Sequence, residues 1–147
     1  MLKNTPFLVA FSTVVFVAGM LLGSALQPRF TLHAQSAKRV FEVRTYTANE
    51  GKLDALNARF RNHTMRIFNN HDMKSVGYWV PQDAPLKQST LIYILAHPSR
   101  EAAAKNWEAF RNDPQWQKAR AESEAQGPIV SKVESVFVDA TDYSPMK

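Results

Sequence analysis

Arg39–Thr47, RVFEVRTYT, is the stretch from which the fold is read. β-Branched and aromatic residues dominate it, as they do in strands. Side chains alternate across a strand, so Glu42, Arg44 and Tyr46 share one face and Phe41, Val43 and Thr45 the other. The stretch is therefore a strand with one ionic and one apolar–hydroxyl face.

Moving toward the C-terminus, Asn49-Glu50-Gly51 forms a turn into a helix over Lys52–His71. Its apolar residues fall at Leu53, Leu56, Phe60 and Ile67, with His63 on the same stripe. Met73–Val80, MKSVGYWV, is a second strand, stopped by Pro81 and the polar loop Gln82–Gln88. Ser89–Ala96, STLIYILA, is a third, and its continuous apolar run suits a central position. Ser99 is placed to cap a helix carrying Ala103, Trp107 and Phe110. Asp113-Pro114 restarts that helix, with Asp113 as cap and Pro114 where a missing N–H costs nothing, and Gly127-Pro128 ends it after about Ala125. Ile129–Asp139 is the fourth strand. The order β-α-β-β-α-β predicts an α+β, ferredoxin-like domain over residues 38–141, with both helices on one sheet face.

The other sheet face needs cover in so small a domain. Pairing two copies sheet to sheet about a two-fold axis supplies it. Glu42 and Arg44 are expected in that homodimer interface as a buried ion pair, with Lys132 and Glu134 of the neighbouring fourth strand close by.

Toward the N-terminus, Pro28–Ala37 reads as a linker. Before it, Asn4–Pro28 holds no charged residue, and Phe7–Leu26, FLVAFSTVVFVAGMLLGSAL, is long enough to cross a bilayer as a helix. Lys3 precedes it, which keeps the N-terminus cytoplasmic. Residues 1–34 are thus a signal peptide, cleaved after Ala25 or Ala34, or a signal anchor, plus linker. The domain is expected in the periplasm or secreted after cleavage, or held at the inner membrane by residues 7–26. The chain has no cysteine, which excludes disulfides, thiol nucleophiles and cysteine metal sites. Losing Lys3 and Arg29 with the leader takes the formal charge from +5 to +3. The charges are interspersed, so nucleic acid is not an expected partner.

Three motifs in order, FEVRTYT at Phe41–Thr47, HDMKSVGYWVP at His71–Pro81 and NWEAFRNDPQW at Asn106–Trp116, make the segment Phe41–Phe137 resemble the NIPSNAP family. The resemblance implies a ferredoxin-like domain that dimerises through its sheets into a dimeric α+β barrel. It implies no agreed reaction, and the N-terminal segment differs from that of the family's mitochondrial and vesicle-associated relatives.

Candidate site residues are few. His63 and His71 lie eight residues apart on one helix, about 12 Å along its axis, too far to share a metal. His97 precedes Pro98 in a loop, so no metal site is expected. His63 is either a half-buried core histidine or a group projecting into a pocket as base, acid or haem ligand. Trp79, Tyr93, Trp107, Phe110 and Trp116 are either core or a ligand shelf. Glu42 and Arg44 are either the interface ion pair or a clamp for an anion. No phosphate loop or catalytic triad is legible. These features describe an exported, homodimeric domain that binds a small apolar ligand or a protein partner, with no cofactor required. The alternative is a small monooxygenase of the dimeric α+β barrel type, cofactor-independent or haem-binding, an analogy carried by the fold alone. Whether the domain is an enzyme is left open by the residues.

Overall fold

A computed structural model describes residues 39–147. The apolar segment Phe7–Leu26 and the linker lie outside the described residues. Among the described residues no helix is long and apolar enough to cross a membrane.

The chain runs β1 (Val40–Ala48), α1 (Leu53–Arg59), a π-helical turn (Phe60–Thr64), α2 (Met65–Asn70), β2 (Lys74–Trp79), a short 3₁₀ turn, β3 (Thr90–His97), α3 (Arg100–Asn112), α4 (Pro114–Ser123) and β4 (Val130–Asp139). The strands form one antiparallel sheet in the order β2-β3-β1-β4. This is the ferredoxin-like α+β arrangement, as expected. The apolar β3 is central, and the charged, mostly exposed β4 is an edge.

The helix boundaries follow the caps. Ser99 Oγ accepts from the Ala102 N–H at 3.1 Å. Asp113 Oδ1 accepts from the Gln115 N–H at 2.7 Å with Pro114 at the first helical position, so the chain breaks between α3 and α4 where the sequence predicts. The same carboxylate bonds His71 Nε2 at 2.7 Å through its other oxygen, tying the end of α2 to the α3–α4 corner.

One element departs from expectation. The first helix is regular only at its ends, and its middle turn is wound as a π-helix. That turn takes more residues per revolution. The buried stripe therefore passes through Leu56, Phe60, Thr64 and Ile67 instead of His63. Thr64 is buried and its hydroxyl donates to the Arg59 carbonyl at 3.3 Å. His63 turns to the flank, half-buried.

The core lies between the sheet and the helices. Leu56, Phe60, Ile67 and Phe68 of the first helical layer meet Leu91, Tyr93 and Leu95 of β3 and Phe110 of α3. Phe68, Phe110 and Trp107 meet at ring-centroid distances of 4.8–5.5 Å. The opposite sheet face has no helix on it. Val43, Ile92 and Ile94 are half-buried there, Val136 is 59% exposed, and Trp79 is 49% exposed with its indole folded onto Gly77. A Cβ at residue 77 would lie 2.6 Å from that ring, so only glycine permits the fold-back. Phe41, on the same face, lines a small cavity of about 240 Å³ with Val138 and the C-terminal residues Ser144 and Met146.

Candidate functional site: a cleft under helices α3 and α4

The register of β1 determines which side chains meet the helices. Glu42 pairs with Leu95 on β3 and Phe137 on β4, and Arg44 with Tyr93 and Ser135. Leu95 and Tyr93 are core residues beneath the helices, so Glu42, Arg44 and Tyr46 face the helical layer. This corrects the expectation that Glu42 and Arg44 lie on the uncovered face. The ion pair forms, with Arg44 NH1 at 2.5 Å from Glu42 Oε1, but on the side where α3 can reach it. Alternation alone sorts residues into two faces and does not say which one the helices cover. Lys132 and Glu134, opposite Thr47 and Thr45, pair with each other instead, at 2.8 Å.

Glu42 is 1% exposed and its acceptor capacity is filled from four elements. Oε1 accepts from Arg44 on β1 and from Ser135 Oγ on β4 at 2.6 Å. Oε2 accepts from Trp107 Nε1 on α3 at 2.7 Å and from His97 Nε2 at the end of β3 at 3.1 Å. Burial pushes this carboxyl up, but the hydrogen bonds from His97, Ser135, Trp107 and Arg44 outweigh it and hold it at about 2, against an ordinary 4.5. It is therefore a permanent anion at neutral pH and unsuited to general-base work. Because an ionised carboxylate only accepts, His97 Nε2 must be its donor. His97 is fully buried and its Nδ1 has no partner among the described residues.

Arg44 is held from two sides. Glu42 binds its guanidinium, whose centre lies 4.1 Å from a Trp107 ring centroid and 5.6 Å from that of Tyr46. Trp107 thus carries the cation on its face and bonds the anion through its edge.

These residues form the inner wall of a cleft of about 750 Å³ between β1 and β4 on one side and α3 and α4 on the other. It exists because the helices lean mainly on β2 and β3 and leave the inward residues of β4 open. Tyr46, Trp107, Phe110, Trp116 and Phe137 supply its aromatic surface. Its far end carries a second ion pair: buried Arg59 donates to Glu124 at 2.9 Å and lies 5.1 Å from the Trp116 ring centroid. Among the described residues no group of three or more His, Asp or Glu could hold a metal ion.

Of the residues singled out in the sequence, Trp107, Phe110, Trp116, Glu42 and Arg44 line this cleft. Tyr93 is sealed in the core, and Trp79 sits on the open sheet face. His63 does not line the cleft. His97, read above as a loop residue, is the last residue of β3 and belongs to the Glu42 cluster. It continues the alternation Leu91, Tyr93, Leu95, and that period extended past Ala96 was the signal for it. Ser135, a small polar residue on an edge strand, gave no signal.

The profile of the NIPSNAP family matches residues 41–145. A NIPSNAP family protein from Agrobacterium tumefaciens superposes with a TM-score of 0.67 at 21% identity, covering 79% of this chain and 97% of its own. A second from that organism, a NIPSNAP family protein with unknown function, gives 0.65 at 20% identity over 76% of this chain and 96% of its own. SnoaB from Streptomyces nogalater, a cofactor-independent oxygenase, shares the fold with a TM-score of 0.50 at 16% identity over 74% and 99%. No curated protein matches the chain.

Proposed function

The chain belongs to the NIPSNAP family, and on that premise we propose that its domain binds a small, flat, largely apolar molecule in the cleft beneath α3 and α4. The observation that carries this reading is the cleft itself. Its volume falls in the range of small-molecule pockets, five aromatic rings stand in its walls, and its buried carboxylate is fully bonded and so acts as a fixed wall. The open sheet face supports a homodimer, since Val43, Ile92, Ile94 and Val136 form an apolar surface that a second copy would cover. The uncharged run Asn4–Pro28 supports export or membrane anchoring. Full-length chain found soluble in the cytosol on fractionation would overturn that part.

An oxygenase is the second reading. It is favoured by one observation, the fold shared with SnoaB, and a likeness at 16% identity carries the fold alone. Ligand binding without turnover separates the two.

The direct test is a titration of the full-length chain with naphthalene-2-carboxamide, followed by tryptophan emission. Trp107 and Trp116 line the cleft and report its occupancy. Saturable quenching is expected in the parent chain. It should disappear in Ala104→Phe, which fills the cleft from an exposed position on α3 and leaves the core intact. Equal quenching in both chains would assign the signal to the surface or to detergent and refute the cleft.

A further inference from the structure

We infer that the molecule taken by this cleft is an aromatic acid, docked by the guanidinium group of Arg100 or of Arg111; this rests on the cleft being the binding site. Five arginines line the cleft against two carboxylates, Glu42 and Glu124. Glu42 is neutralised by Arg44, and Glu124 by Arg59 and Arg120 at 2.9 and 3.1 Å. Arg100 and Arg111 have no carboxylate within ion-pair distance among the described residues. The cleft therefore carries an excess of positive charge built into a space walled by aromatic rings.

The two free cations are placed by helical geometry. Arg100, Ala104, Trp107 and Arg111 follow one another three or four residues apart, so they share the face of α3 turned to the cleft. Eleven residues at 1.5 Å each put the two arginines about 16 Å apart along the helix, with Trp107 between them in the chain. Arg100 lies 4.6 Å from the Phe137 ring centroid on β4, which orients it without cancelling its charge. The cleft thus offers two features to a ligand, aromatic rings and guanidinium groups with no carboxylate partner among the described residues. A flat ring system with a carboxylate at one end satisfies both features: the ring stacks on the tryptophans, and the carboxylate takes the planar fork of a guanidinium.

The test compares naphthalene-2-carboxylate with naphthalene-2-carboxamide on the full-length chain, two probes of nearly one shape that differ in charge. The carboxylate should bind roughly tenfold more tightly or better, with a preference that shrinks as salt is raised. The Arg100→Gln/Arg111→Gln double variant should erase the preference while keeping the affinity for the amide. Both arginines are exposed, so their loss does not endanger the fold, and the single variants show which arginine receives the acid. Equal affinity for the two probes, or a preference that survives in the double variant, overturns the inference and leaves the cleft standing. Failure of both probes to bind removes the binding site and the inference with it.

Discussion

Glu42 is the residue on which most of the site converges. It touches a β1 neighbour, the end of β3, the middle of α3 and the edge strand β4, so a single carboxylate records whether those four elements are in register. Its depressed pKa has a pH consequence whose sign is set by linkage. The folded-state value, about 2, lies below the ordinary 4.5, so the stabilisation is fully present above pH of about 4.5 and is lost as the pH falls toward 2. A depression of that size corresponds to on the order of 3 kcal/mol. In Glu42→Gln, urea unfolding should show a loss of about that size at pH 7 and a flatter dependence between pH 4.5 and 2 than the parent. Parallel pH profiles for the two chains would mean that the carboxylate's charge contributes nothing.

Among the elements, the first helix is the one whose local winding changes the functional reading. A regular α-helix would carry His63 on the core stripe between Phe60 and Ile67, where it invites assignment as a base or haem ligand. The π-helical turn instead seats Thr64 there and leaves His63 on the flank. Thr64→Val keeps the shape but removes the buried bond to the Arg59 carbonyl, at an expected cost of about 1 kcal/mol. His63→Ala should change stability by less than about 0.5 kcal/mol, as substitutions away from buried contacts do. Thermal or denaturant unfolding of the two variants side by side decides it. A larger loss in His63→Ala than in Thr64→Val would restore histidine to the stripe.

At the scale of the whole molecule, the two faces of the sheet are proposed to have separate tasks. The helix-covered face holds the ion pair and the cleft, and the open face is the surface available for a second copy. Two variants pull these apart. Val136→Asp puts a charge on the edge strand of the open face at an exposed position, and should leave the subunit folded but convert the proposed dimer to monomer in sedimentation at low micromolar concentration. Arg44→Ala leaves the buried Glu42 without its cation, and should lower subunit stability by about 3 kcal/mol while any dimer persists. Dissociation by Arg44→Ala with no loss of subunit stability would return the ion pair to the interface.

The sequence by itself determined the order of strands and helices, the caps at Ser99 and Asp113, the central place of β3 and the division of β1 into two faces. Each of these is written in short-range terms: a period of two, a period near 3.6, or a cap beside a helix start. The family resemblance was legible in the same way, because its motifs lie within single elements. What only the tertiary structure decided is which face of β1 the helices cover, that His97 reaches Glu42 across 55 residues of chain, that Ser135 closes the same cluster, and that an extra residue in one turn moves His63 off the stripe. These depend on register between distant strands and on how helices settle over a sheet. Both follow from packing the whole core at once, so no local pattern encodes them.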